Sequence, residues 1–192
     1  MIRATSHDKK EVAALLATAF EGNQSVRFVT GDRRKETGRM KLLKYSFEKC
    51  LRSGLIYLSE DRHACAMVLF PEKDKMTLGS VLLDIRFIFT CVGLGRLKRV
   101  LARERKLRRL QPPGLKYYLW FIGVDPAYQN RGIGNRLLRE MMAEADSLKR
   151  TLILETSTVR NLPWYEKSGF KPYPRLDIGY PLYFLRKGGV DQ

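Results

Sequence analysis

The 192-residue sequence predicts a mixed α/β fold built as one domain, and three observations carry that reading. Short β-branched and aromatic runs alternate with longer segments whose apolar residues recur at helical spacing. A chain of this length fills a single hydrophobic core, which grows to about 100–200 residues before chains divide. Its composition, 44% hydrophobic and 29% charged, is that of a globular domain rather than a disordered segment. Residues 1–192 therefore read as a single domain, with neither internal repeat nor low-complexity linker.

The elements follow in order. Ile2 to Thr5 forms a short first strand, and Asp8 with Glu11 three residues on makes a capping-box-like helix start. Val12, Leu15, Leu16 and Ala19 then keep helical spacing, and the polar stretch from Glu21 to Lys35 reads as a loop. Met40, Leu43, Phe47, Cys50 and Leu51 mark a second amphipathic helix, which Gly54 is expected to close with a left-handed cap. Leu55 to Ser59 and Ala64 to Phe70 are apolar runs around the polar Glu60-Asp61-Arg62-His63, a hairpin that Pro71 ends. Between Ser80 and Leu110 the apolar pattern predicts two helices broken near Gly93 and Gly95. Tyr117 to Val124 is the strongest strand, stopped by Asp125-Pro126, and Ile133 to Ala145 carries a clean helical stripe. Leu152 to Thr156 is a further strand, a short helix surrounds Trp164 to Ser168, and two last strands fall near Lys171 and over Tyr180 to Arg186.

Charge and cysteine usage narrow the function classes. Lys and Arg number 36 against 20 Asp and Glu, a net +16, and so positive a field favours polyanions: phosphate-bearing cofactors, nucleic acid or anionic membrane surfaces. Arg96, Lys98, Arg99, Arg103, Arg105, Lys106, Arg108 and Arg109 crowd one stretch with a single acid, Glu104, yet the chain stays basic without it. Cys50, Cys65 and Cys91 are odd in number and lack C-x-x-C spacing, against both a disulfide framework and a zinc ribbon. Reduced thiols in a cytoplasmic protein are the expectation. Polar residues come too early for a signal peptide, and no apolar run approaches the roughly 20 residues of a membrane span. His7 and His63 stand in no metal or nucleophile constellation, so no metal is expected and both read as surface residues. Ser157 and Thr158 lack a partner base, and no helix-turn-helix, RRM or zinc-finger signature is present.

The sharpest local feature is Val124-Asp-Pro-Ala-Tyr-Gln-Asn-Arg-Gly-Ile-Gly134, which leads from a strong strand into a strong helix. Gln129, Gly132 and Gly134 form Q-x-x-G-x-G at that junction. Glycines there bring backbone amides close to a ligand, and the helix N-terminus adds the positive end of its dipole, so the loop suits an anion. Arg131 and Arg136 supply charge able to meet phosphate. Neither G-x-G-x-x-G nor G-x-x-x-x-G-K-[ST] occurs. The competing reading of the two glycines is a tight turn with close helix–strand packing.

Trp120 to Gly134 resembles the cofactor motif of the GNAT superfamily of acetyl-CoA-dependent N-acetyltransferases. A second signature of that family is similar to Leu154-Glu-Thr-Ser157 followed by Asn161-Leu-Pro-Trp-Tyr-Glu-Lys-Ser-Gly-Phe170, and the two blocks span roughly residues 117–171. The resemblance implies a sheet of about seven strands flanked by helices, parted between its fourth and fifth strands to admit acetyl-CoA. The pyrophosphate would rest on Gln129, Asn130, Arg131, Gly132, Ile133 and Gly134, with Asn135 beside them. Ile122, Gly123 and Val124 would run along the pantetheine arm like an added strand, one of the strand's amides polarising the thioester carbonyl. Tyr165 is implied as general acid, and Glu155 stands where some relatives carry a general base, a water chain being the alternative. Relatives often place an Asn seven residues before the Tyr; here Asn161 precedes it by four, with Pro163 between, so Asn161 either meets the cofactor or caps the short helix.

The implied reaction moves acetyl to a primary amine, most simply of a small molecule, by direct attack in a ternary complex. A protein or peptide N-acetyltransferase, or a non-catalytic CoA- or RNA-binding module, remains open, and a symmetric homodimer is the default assembly. A helical, basic insertion at about 72–114 separates the third and fourth strands. It is expected to border the acceptor pocket with Phe87, Phe89 and Arg86, the plainer alternative being a solvated basic face.

Overall fold

The computed structural model describes residues 1–31 and 35–188. Its strands are β1 (Ile2–Arg3), β2 (Gly54–Leu58), β3 (Ala64–Leu69), β4 (Lys116–Val124), β5 (Thr151–Thr156), β6 (Lys171–Asp177) and β7 (Pro181–Lys187). The helices are α1 (Lys9–Ala19), α2 (Gln24–Thr30), α3 (Lys35–Ser53), α4 (Leu78–Phe87), α5 (Leu94–Leu110), α6 (Ile133–Ser147) and α7 (Leu162–Lys167). The strands form one seven-stranded sheet in the order β1-β2-β3-β4-β5-β7-β6. Only β4 and β5 pair in parallel; every other neighbouring pair is antiparallel.

Two apolar layers follow from the alternation of side chains along the strands. On one face α1 and α3 cover Ile56, Leu58, Met67, Tyr118, Phe121 and Ile153. On the other, Leu137, Leu138 and Met141 of α6 and Tyr165 of α7 meet Tyr117, Leu119, Leu152 and Leu154. In β4 the period-two pattern breaks where Met67 pairs with Phe121 but Val68 pairs with Leu119. Trp120 is therefore the extra residue of a β-bulge. Tyr118 and Phe121 consequently share one face although three positions apart.

Several expectations are corrected. The stretch read as a loop from Glu21 to Lys35 contains α2, started by Asn23, whose side-chain oxygen accepts the Val26 amide at 3.1 Å; residues 32–34 lie outside the described residues. The Asp8 carboxylate turns back to the Thr5 amide at 2.7 Å, and Glu11 pairs with Arg62 instead of completing a box with Asp8. Gly54 is not a left-handed cap but opens β2. An added Cβ there would lie 1.9 Å from the Val68 carbonyl oxygen, so glycine is what lets β2 and β3 approach. Leu51, expected on the buried stripe of α3, is exposed.

Between β3 and β4 run α4, a π-helical turn over Ile88–Val92, and α5. Gly93, at φ +77°, makes the break between them. Among the described residues no single helix is long and apolar enough to cross a membrane; the pair Leu78–Val92 and Leu94–Leu110 passes the same length and composition test together, bent by 118°.

Candidate active site

β4 and β5 pair only from Lys116 and Thr151 to Leu119 and Leu154. β4 then continues through Trp120 to Val124 paired to β3 alone, while Glu155 and Thr156 pair to β7 alone. The sheet is thus open between its two central strands beyond Leu119, where the bulge lies.

Main-chain direction along that opening follows from one bond. The Asp125 amide donates to the His63 carbonyl on the β3 side at 2.8 Å. By the two-residue alternation of an antiparallel ladder, Gly123 and Phe121 also face β3, and Ile122 and Val124 present their amides and carbonyls to the opening. The Val124 carbonyl accepts only a side-chain bond there, from Gln129 Nε2 at 3.2 Å. Gly123 presents its main chain to β3 and its Cα to α1. Its added Cβ would sit 2.9 Å from Ala19 and Leu16, so its smallness serves the packing of α1.

The loop from β4 to α6 combines both readings of its glycines. Asn130 and Gly132 lie at φ +63° and +78°, a conformation that turns successive amides toward one side. A Cβ on Gly132 would meet open space, and Gly132 stands at the N-cap of α6. A Cβ on Gly134 would lie 3.2 Å from Val124 and 3.7 Å from Trp164, so Gly134 permits close helix–strand packing. Asn135 accepts the Trp164 indole N–H and joins α6 to α7. Arg131 lies along the loop over the Tyr128 ring, 4.9 Å from its centroid, and His63 stacks on Tyr128. Arg136 instead lines a recess with Ser59 and Asp61 beside the β2–β3 hairpin. Ile133 is buried in the α6 core, leaving only its backbone for a ligand.

Tyr165 and Glu155 sit on opposite faces of the sheet at this opening. Tyr165 belongs to the α6–α7 layer, buried against Trp164 and edge-on to Phe170. Burial holds its phenol well above the ordinary value, so it keeps its proton. Glu155 belongs to the α1–α3 layer and accepts the Tyr118 hydroxyl. Burial pushes its carboxyl up to about 7, against the Tyr118 hydrogen bond and the Arg103 charge, which lower it, and with Glu104, which raises it. The Tyr173 hydroxyl is buried without a hydrogen-bond partner among the described residues, and burial and the Glu155 charge raise its pKa. Ser157 Oγ, just past the end of β5, is likewise buried without one. Asn161 stands at the N-cap of α7, but its side chain makes no capping bond.

Sequence reasoning missed Tyr118, Arg103 and Glu104. Tyr118 pairs in register with Ile153, two residues before Glu155 on the same face, a relation that requires the strand register. Arg103 donates to the Tyr180 hydroxyl at 3.1 Å, a contact brought about by the return of α5 across the sheet, and to its neighbour Glu104 at 2.5 Å. The residues expected at an acceptor pocket fare differently. Phe87 stacks on Tyr45 at 4.0 Å, and Tyr45 meets Trp120 edge-on at 6.4 Å. Arg86 and Phe89 are exposed and turn away from this face. A helix cannot direct Phe87 and Phe89, about 200° apart around its axis, to one pocket.

Comparison with known proteins agrees with this architecture. A family model described as an acetyltransferase (GNAT) domain matches residues 87–172. The N-alpha-acetyltransferase RimI of Mycobacterium tuberculosis is 38% identical over 79 residues, 41% of this chain and 47% of that protein, so the match spans about half the relative's length. The crystal structure of histone acetyltransferase HPA2 and related acetyltransferase from Corynebacterium glutamicum superposes with a TM-score of 0.69 at 17% identity, covering 100% of this chain and 96% of that one. Arylalkylamine N-acetyltransferase 2 from Aedes aegypti gives 0.66 at 13% identity over 97% and 96%. At such identities the two structures speak to fold alone. The parted sheet and the amide-lined loop thus lie in a chain whose residues 87–172 match the acetyltransferase (GNAT) domain and whose fold is that of the acetyltransferase structures it superposes on.

Proposed function

We propose that this protein is an acetyl-CoA-dependent N-acetyltransferase acting on a primary amine, most simply of a small molecule, by direct attack in a ternary complex. One observation carries the reading: a carboxyl held near pKa 7 and a protonated phenol lie on the two faces of the sheet where β4 and β5 part.

The residues present fit the coenzyme. Gly132 leaves open space at a positive φ where amides converge, the N-terminus of the 15-residue α6 stands behind it, and Ile122 and Val124 offer an unpaired strand edge. Gln129 to Gly134 would hold the diphosphate, with Asn161 near the arm. Bound there, the coenzyme supplies the activated acyl group.

The chain's own groups then hold and move protons. An ammonium acceptor entering from the α5 side loses its proton to Glu155, directly or through water, because the carboxyl titrates close to neutral pH. Tyr165, across the sheet and kept protonated by burial, donates to the sulfur of the departing thiolate. Residues 1–192 serve as one GNAT domain in which about 72–114 is an insertion. The cysteines Cys50, Cys65 and Cys91 are buried and form no disulfide among the described residues, which suits a reducing compartment such as the cytoplasm.

Mixing the protein with radiolabelled acetyl-CoA and a panel of amines, aminoglycosides and peptides with free α-amino groups tests the proposal. Transfer to a small amine is the expected result. The likeness to the N-alpha-acetyltransferase RimI supports the second reading, and transfer only to peptides would select it. A flat calorimetric titration with acetyl-CoA, for folded protein, would overturn both.

A further inference from the structure

An ordinary surface helix hides its apolar stripe and shows its charge; α4 does the reverse. Its acid points inward, where Asp84 accepts the Tyr45 hydroxyl at 2.7 Å and pairs with Lys49 at 3.4 Å, and Phe87 stacks on Tyr45. Its other apolar residues find no core: none of the ten residues of α4 is buried. Leu78, Leu82 and Ile85 recur at i, i+4 and i+7, one helix face, and Phe89 follows four residues later; Leu78 is 79% exposed, Leu82 59% and Phe89 64%.

Across the Gly93 break, α5 continues the pattern. Val100 and Leu107 fill its buried side and Arg103 reaches Tyr180. The opposite side carries Leu94 and Leu101, both exposed, together with Lys98, Arg105, Arg108 and Arg109, and no acid. Exposed leucines interleaved with cations on two helices bent by 118° make a surface that needs both an apolar phase and anions to cover it.

We infer that the outer faces of α4 and α5 rest on an anionic lipid bilayer, with the α4 stripe sunk among the acyl chains and the α5 cations at the phosphates. Amphipathic helices bind membrane interfaces by summing these two contributions, and Lys and Arg lay their stems along apolar surface while keeping the charge in the headgroups. Nucleic acid answers the cations but offers the leucines nothing. A second copy of this chain answers the leucines but brings its own +16 charge against the same basic face.

The experiment is co-sedimentation of the full chain with vesicles of phosphatidylcholine containing phosphatidylglycerol, against vesicles of phosphatidylcholine alone. Binding to the anionic vesicles, weakened by salt, is expected. Leu82→Ser with Phe89→Ser should lower partitioning at least about tenfold. Lys98→Gln with Arg105→Gln should lower it about thirtyfold on anionic vesicles, at about fivefold per cation, and hardly alter it on neutral ones. All four positions are exposed, so unchanged melting and unchanged acetyl-CoA titration would show that fold and cofactor site are intact. No sedimentation at low salt, or binding indifferent to the Leu82 and Phe89 changes, would overturn the inference. So would a concentration-dependent dimer abolished by those changes without vesicle binding, or release from vesicles only by a competing oligonucleotide with the leucines irrelevant.

Discussion

Replacing Glu155 by Gln gives opposite signs in two assays, and the signs come from one number. With its carboxyl lifted to about 7, the ionised fraction climbs from about one tenth near pH 6 to about nine tenths near pH 8. A rate carried by that carboxylate therefore climbs about tenfold over the same interval, below the separate limb set by the acceptor's own ammonium group. The assay is release of free CoA thiol with the amine that the panel identifies, measured at low substrate across pH. Glu155→Gln should lower the rate by about 10²–10⁴ and remove the limb near 7. Tyr118→Phe should keep the limb but move it to higher pH, because the lost hydrogen bond was lowering the carboxyl's pKa. Stability runs the other way. The folded carboxyl binds its proton more tightly than the unfolded one at 4.5, so stability falls as pH rises from about 4.5 and the loss is complete above about 7. A shift of that size corresponds to at most about 3 kcal/mol, so near pH 8 Glu155→Gln should melt higher while working more slowly. An unchanged acidic limb in Glu155→Gln, or lower melting near pH 8, would refute the reasoning.

Tyr165→Phe keeps the packing against Trp164 and Phe170 but removes the proton donor; kcat should fall by about tenfold or more at unchanged KM for acetyl-CoA, and steady-state kinetics showing full activity would assign the residue to the core alone. Gly132→Ala places a side chain at φ +78° in open space, costing about 1–2 kcal/mol, so the chain should fold while acetyl-CoA affinity measured by calorimetry drops further than melting suggests. Gly54→Ala drives a Cβ to within 1.9 Å of the Val68 carbonyl and should destabilise by about 3 kcal/mol or more, whereas an unchanged denaturation midpoint would contradict the β2–β3 register.

Which parts of this protein were readable in one dimension follows from the range of the forces involved. Val124 to Gly134 declares its strand, turn and helix through neighbouring residues, because positive φ and helix-start amides are local properties. The alternation in β5 and the stripe in α6 are equally local, but neither singles out Glu155 or Tyr165. A family likeness supplied their roles; periodicity alone could not. Local pattern failed at α2, where Asn23 caps a helix inside a polar stretch, and at Gly54, whose smallness answers a carbonyl fourteen positions away.

The sequence by itself determined the alternating elements and the glycine-bearing loop between a strand and a helix, since each depends on a few consecutive side chains. Only the tertiary structure decided where the sheet parts, that a bulge at Trp120 sets which main-chain groups face the opening, and that α5 folds back to bring Arg103 and Glu104 beside Glu155. It also decided which side of α4 is left uncovered. The reason is physical: strand register, desolvation and exposure are properties of what a residue meets across the fold, and partners distant in sequence leave no mark on the residues beside it.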